Sequence, residues 1–249
     1  MKTLRAIFRL FLFATYTLLR VTQIVVSGWL LGPSPLRGMR IRQSWGRWLL
    51  PRIGVDVQAE GRPPDQPCIV MANHRSYLDP VILVMDILGY PVSKAEVAGW
   101  PIVGYGAKTS GVLFLKRENV GSRKRTLAGI GEKVREGFPV ILFPEGTTHG
   151  HPRCIPLKRG AFALAAEQNI PVTPVMIEYD NPADYWIGND TFLPHFIRRF
   201  GEKKIRVYVR YGPLIPVSDA QQMLDATRDW IDAQLEDLHR QKGLHEKMN

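Results

Sequence analysis

Apolar side chains dominate the start of the chain. Between residues 7 and 31 the only charges are Arg9 and Arg20, and Pro33 and Pro35 end the helix that this run predicts. Residues 37–50 then mix Arg37, Arg40, Arg42 and Arg47 with Ile41, Trp45, Trp48 and Leu49. The pattern changes near residue 53. Short β-rich runs follow: Cys68-Ile69-Val70-Met71, Val112-Leu113-Phe114-Leu115, Val140-Ile141-Leu142-Phe143, residues 172–177 and residues 205–209. Helical patterns lie between them. Within 122–136, Leu127, Ile130 and Val134 recur at i, i+3 and i+7, and Gly137 supplies a stop. Residues 158–168 read as another helix, ended by Asn169 and Pro171. Ser218 with Gln221 forms a capping box before a last helix carrying Leu224, Ile231, Leu235 and Leu238. Strands alternating with helices predict an α/β domain over residues 51–249, preceded by a helical element over residues 1–50.

Charge sharpens the reading of that first element. The first 65 residues carry ten basic side chains and three acidic ones, most of a net charge of +10 for the 249 residues. Spanning a bilayer needs about 20 apolar residues. Arg9 and Arg20 leave charge-free stretches only at 10–19 and 21–36, and the second contains Gln23, Gly32, Pro33 and Pro35. No small-x-small cleavage site follows Leu19, as a signal peptide requires. Helices that dip into one leaflet fit better, with Arg9 and Arg20 snorkelling to headgroups and Trp45 and Trp48 at the interface. A buried helix pair is the plainer alternative. Nucleic acid is not the expected partner, because the basic residues interleave with a long apolar run rather than a soluble recognition motif.

Apolar residues make up 45% of the chain and charged residues 22%, which rules out wholesale disorder. Two cysteines, Cys68 and Cys154, are too few for a disulfide framework or a four-cysteine zinc site, and point to a reduced, intracellular setting.

The chemistry concentrates in two places. Asn73-His74-Arg75-Ser76-Tyr77-Leu78-Asp79-Pro80 directly follows a buried run. Pro80 suits the first turn of a helix, which makes Asp79 its N-cap and puts His74 on the strand-to-helix loop. Within a regular helix residues i and i+5 point about 140° apart, but across a loop they meet. A carboxylate on one imidazole nitrogen fixes the tautomer and leaves the other nitrogen as a general base near neutral pH. Gly-x-Ser-x-Gly is absent, so the proton taken can belong to a substrate hydroxyl. The second place is Phe143-Pro144-Glu145-Gly146-Thr147-Thr148. Gly146 permits a tight turn or a close approach, Glu145 can orient a hydroxyl or a cation, and Lys158 and Arg159 downstream can reach an anion. Either group alone also reads as a polar loop.

Together these residues resemble the lysophosphatidic acid acyltransferase (glycerolipid acyltransferase) family. Asn73-His74-x4-Asp79 looks like its first motif, and Gly111-Val112-Leu113-Phe114-Leu115-Lys116-Arg117 is similar to its Gly-x-x-Phe-Ile-x-Arg element. Phe143-Pro144-Glu145-Gly146-Thr147 resembles its third block and Pro171-Val172-Thr173-Pro174-Val175 its fourth. The match covers about residues 66–178. It implies a mostly parallel central sheet flanked by helices, with a membrane-attaching helical pair in front. It also implies a reaction. His74, held by Asp79, deprotonates the glycerol hydroxyl of a lysophospholipid, and that oxygen attacks the thioester of acyl-CoA or acyl carrier protein. No covalent acyl-enzyme, metal or resident cofactor is implied. Lys116 and Arg117 hold the acceptor's phosphate, while Glu145, Gly146, Thr147 and Lys158 line the acceptor pocket. The implied location is the cytoplasmic face of the inner (plasma) membrane.

One departure matters. The family's third block usually continues Thr-Arg-Ser, but here it reads Thr147-Thr148-His149. The acceptor headgroup is therefore open between lysophosphatidate and another lysolipid, such as lyso-ornithine lipid. A non-catalytic lipid-binding protein on the same scaffold is the rival reading, against which an intact His74 and Asp79 speak.

Other features carry less. His149, His151 and Cys154 are metal ligands by type, but Pro152 and the lack of a fourth ligand make them a solvated loop. Gly104-x-Gly106-x-Lys108-Thr109 lacks the glycine that a phosphate loop needs before its lysine. The basic face of 122–136 (Arg123, Lys124, Arg125, Lys133, Arg135) is a solvated face that can also meet an acidic acyl carrier. His195 and His239 have no partner that the sequence names.

Overall fold

The computed structural model describes residues 1–100, 103–115 and 120–243, without the side chains of Val103, Val120 and residues 122–124. Lys116 and Arg117 lie outside the described residues, as do the side chains of Arg123 and Lys124. Seven strands form one sheet: β1 (Val55–Glu60), β2 (Ile69–Ala72), β3 (Tyr90–Lys94), β4 (Leu113–Leu115), β5 (Val140–Leu142), β6 (Val172–Tyr179) and β7 (Ile205–Tyr211). Their order is β1-β7-β6-β2-β5-β3-β4. Every pairing is parallel except β6 with β7, which is antiparallel. All eight residues of β6 are buried, as expected for a strand covered on both faces.

Helices α1 (Lys2–Leu31), α2 (Pro35–Arg52), α3 (Asp79–Asp86) and α7 (Phe192–Phe200) cover one side. Helices α5 (Val120–Arg135), α6 (Gly160–Glu167) and α8 (Ala220–Lys242) cover the other, and α4 (Val103–Thr109) precedes β4. The alternation along β2 divides the cores: Val70 and Ala72 face the first, Ile69 and Met71 the second. The Gly104 to Thr109 segment is helical rather than a phosphate-cradling loop.

The helical pair departs from the sequence reading in its arginines. Helix α1 is long and apolar enough to cross a membrane. Yet Arg9 does not snorkel. Its guanidinium is buried and donates to the carbonyls of Phe200, Glu202 and Lys203, at 2.9, 2.7 and 2.9 Å. Gly54, at φ 89°, lies against it, and a Cβ there would collide with the guanidinium. Arg20 donates to Ser44 Oγ. Trp45 and Trp48, both half-buried, pack against α1. Trp45 Nε1 donates to Thr17 Oγ1 at 3.0 Å, and Trp48 stacks on Tyr16 with ring centroids 4.0 Å apart. Arg42 is buried too, donating to Ser110 O and Gly89 O. For Arg9 and Arg42, backbone carbonyls of folded elements supply acceptors that compete with lipid phosphates. The opposite flank of α1 remains apolar and exposed, with Leu4, Ile7, Phe8, Phe11, Leu18 and Leu19.

Two caps also shift. Asp79 is the first residue of α3 rather than its N-cap, because its carboxylate turns back onto the preceding loop. For α8 the cap is Asp219, which accepts from Gln221 N at 2.7 Å in place of the expected Ser218.

Candidate active site

Strand β2 ends at Ala72 and passes directly into the first motif. Asn73 extends the ladder with its side chain: Nδ2 donates to Ile177 O and Oδ1 accepts from Ile177 N, both at 2.7 Å. This double bond fastens the loop to β6 and sets the direction in which His74 leaves the sheet. His74 Nδ1 then lies 2.8 Å from Asp79 Oδ2. An ionised carboxylate only accepts, so Nδ1 carries the proton and Nε2 presents its lone pair. The His74 ring stacks on Phe143, centroids 4.2 Å apart, with its side chain 18% exposed. A substrate hydroxyl can therefore reach it from solvent.

Asp79 is fully buried and heavily bonded. Oδ2 also accepts from Arg75 N at 2.6 Å and Ser76 N at 2.8 Å, and Oδ1 accepts the Tyr179 hydroxyl at 2.6 Å. Burial first, then the Asp79 charge, pushes the Tyr179 phenol well above its usual value, so it remains a donor. A carboxylate so held cannot rotate away from His74, and its charge stabilises the imidazolium that forms on proton uptake.

Glu145 stands on the neighbouring loop, after β5. It is buried, and both oxygens are taken by protein donors. Oε2 accepts His74 N at 2.7 Å; Oε1 accepts His149 Nε2 at 2.8 Å and Ile155 N at 3.2 Å. Its contact with the site is thus through the main chain of His74. Gly146 has φ 75°, and the Lys158 ammonium lies over its bare Cα, where a Cβ would strike it. Lys158 N donates to Pro144 O at 2.9 Å, which brings that exposed cation to the rim. Thr147 is exposed beside it, while Thr148 Oγ1 donates to Trp186 O. The structure thus gathers His74, Asp79, Glu145, Gly146, Thr147 and Lys158 around the ends of β2 and β5.

Several supporting residues escaped the sequence reading. Arg75 is fully buried beneath the site, with Nη2 donating to Glu178 Oε2 at 3.1 Å and Nη1 to His151 O at 2.7 Å. Glu178 also accepts from Tyr185 Oη at 2.7 Å, Tyr179 N at 2.9 Å and His239 Nε2 at 3.1 Å. Burial alone would raise its carboxyl, but Arg75 and these donors outweigh that and hold it below the usual range. His239 and His195 therefore gain partners: His195 Nε2 donates to Tyr185 O at 3.0 Å and its Nδ1 accepts from Tyr77 Oη at 3.2 Å. Burial lowers the His195 pKa. A signal for Glu178 was present, since a lone acid inside Val175-Met176-Ile177-Glu178-Tyr179 demands a buried partner. His149, expected in a solvated loop, instead sits against Glu145 because Arg75 draws the 149–151 backbone inward.

Comparison with known proteins finds relatives along most of the chain. A family model described as Acyltransferase matches residues 54–178. The lyso-ornithine lipid O-acyltransferase of Pseudomonas aeruginosa is 32% identical over 186 residues, 71% of each chain. The human 1-acyl-sn-glycerol-3-phosphate acyltransferase alpha is 30% identical over 131 residues, 50% of this chain and 46% of that protein. In fold, the chain is similar to the crystal structure of the 1-acyl-sn-glycerophosphate (LPA) acyltransferase PlsC from Thermotoga maritima. The TM-score is 0.75 at 19% identity, covering 96% of this chain and 98% of that one.

Proposed function

The chain belongs to the acyltransferase family, and from that premise we propose that it moves an acyl group from acyl-CoA or acyl carrier protein to the free hydroxyl of a lysolipid. The observation that carries this reading is the His74 Nδ1 to Asp79 bond of 2.8 Å, which leaves Nε2 as the base. Nε2 takes the hydroxyl proton as the oxygen attacks the thioester carbonyl. The C–S bond then breaks, and the proton passes from His74 to the departing thiolate, giving an ester and a free thiol. General-base catalysis of this kind contributes about 10² to 10⁴ in rate.

The first acceptor is lysophosphatidate, its phosphate taken by Lys116, Arg117 and Lys158. The human relative's substrate name supports this. A second acceptor, lyso-ornithine lipid, is favoured by Thr148 in the place of the usual arginine, and by the relative that matches 71% of the chain. Attachment to one leaflet suits α1. Its packed flank is tied to α2 and α7 through Thr17 and Arg9, and its exposed flank is apolar. The cytoplasmic leaflet is the one that meets acyl thioesters.

Purified protein in mixed micelles, given radiolabelled acyl-CoA or acyl carrier protein and both lysolipids, tests the reading. Acylation of one or both by the natural chain, and loss of it in His74→Ala, is expected. Failure to acylate either lysolipid from either donor overturns the proposal.

A further inference from the structure

We propose that His149 is a positioning residue for the His74 base, acting through Glu145. The inference rests on the acyl-transfer reading above and adds a residue that the usual third block does not contain.

The argument begins with protons. His149 Nδ1 lies 3.1 Å from His151 N, and a backbone amide can only donate. Arg75 Nη1, which also only donates, approaches the same nitrogen at 3.2 Å. Nδ1 is therefore the acceptor, and the single ring proton sits on Nε2. That proton points at Glu145 Oε1, 2.8 Å away. The imidazole is 11% exposed and held on both nitrogens, so it has one tautomer and one orientation.

Glu145 transmits this order. Its Oε1 is fixed by His149 and Ile155 N, which aims Oε2 at His74 N, 2.7 Å away. The backbone closes the same circuit, with His149 N donating to His74 O at 3.3 Å. His74 is thus held by Asp79 at its ring and by the Glu145–His149 pair at its main chain. Removing the imidazole leaves Glu145 Oε1 held by Ile155 N alone and loosens the placement of Nε2 against a bound hydroxyl. Misplacing a reacting group by a fraction of an ångström is costly in rate and cheap in binding.

Steady-state kinetics with the accepted lysolipid test the proposal. His149→Ala should lower kcat by about tenfold or more while both KM values stay within about twofold. His149→Gln, whose amide can still donate to Glu145, should recover most of kcat. Because the two residues act as a unit, Glu145→Gln combined with His149→Ala should be no slower than Glu145→Gln alone. A folded His149→Ala enzyme with natural kcat overturns the proposal, as does multiplication of the two single effects. Should His149→Ala not fold, imidazole ¹⁵N shifts of the natural protein decide: an Nε2–H tautomer at His149 is required, and an Nδ1–H tautomer overturns it. Unimpaired turnover in His74→Ala would strike instead at the acyl-transfer reading itself.

Discussion

Tyr179 reaches across the sheet to donate its hydroxyl to Asp79 Oδ1 at 2.6 Å, 100 residues away in sequence. The phenol lies inside the core with no other face open to water, so this bond is made before any substrate arrives. With Arg75 N and Ser76 N on Oδ2, it fixes the plane of the carboxylate that orients His74.

Tyr179→Phe should therefore act on catalysis as well as on stability. The vacated acceptor costs about 1 to 3 kcal/mol of folding free energy, and kcat should fall about three- to tenfold with KM unchanged. Asp79→Asn should cost far more, about 10² to 10⁴ in kcat, because an amide cannot accept three donors on one atom and can present the wrong tautomer to His74. Denaturant midpoints and initial rates on both variants check the order. Equal losses would mean that Tyr179 sets the carboxylate as strongly as its charge does.

What could be read beforehand follows from sequence distance. His74 and Asp79 are five apart on one loop, so the pair was visible from Pro80 and the preceding apolar run. The strands at 140–142, 172–179 and 205–211 carry β-branched runs that buried strands require, and they form where the pattern puts them. By contrast Asn73 with Ile177, Arg75 with Glu178, and Tyr179 with Asp79 join residues about a hundred positions apart. No local period announces such pairs. The partners of Trp45 and Trp48 were hidden for a related reason. An amphipathic aromatic looks the same whether it meets lipid or a second helix, and only the fold brings Thr17 and Tyr16 of α1 against these two.

Helix α1 separates two functions that its composition had merged. Arg9 anchors it to the carbonyls of Phe200, Glu202 and Lys203, while Phe8 and Phe11, 62% and 66% exposed, face away. Arg9→Met should lower the melting temperature, because hydrogen bonds from a charged group contribute about 1.5 to 3 kcal/mol each, yet leave vesicle binding intact. Phe8→Glu with Phe11→Glu should do the reverse. Flotation with anionic vesicles, set beside thermal melts in detergent, distinguishes them. Loss of both properties in either variant would contradict the division.

The Arg75–Glu178 pair makes the fold sensitive to acid. The Glu178 carboxyl is held below its ordinary value near 4.5, since Arg75, His239, Tyr185 and the Tyr179 amide outweigh the effect of burial. A depressed carboxyl contributes stability that is complete above the unfolded value and is lost as pH falls through the folded one. Acid unfolding of the natural protein should thus steepen below about pH 4.5. Glu178→Gln should flatten that limb and, by leaving Arg75 unpaired in the core, destabilise at neutral pH by about 3 to 5 kcal/mol. Urea midpoints at several pH values measure both effects.

Position 148 offers the sharpest handle on the acceptor. Thr148 spends its hydroxyl on Trp186 O, and Lys158 over Gly146 is an exposed cation at the rim. An arginine at 148 would add a fork of donors suited to a phosphate's oxygens, which an ammonium presents only as a point charge. One added charge-assisted bond, about 1.5 kcal/mol, corresponds to about tenfold in kcat/KM. Thr148→Arg should raise the ratio of lysophosphatidate to lyso-ornithine lipid turnover by about that factor. A ratio is the right readout, because any damage from losing the Trp186 bond falls on both acceptors alike and cancels. An unchanged ratio would mean that residue 148 does not meet the headgroup, and would move the search for the specificity element to Lys116 and Arg117.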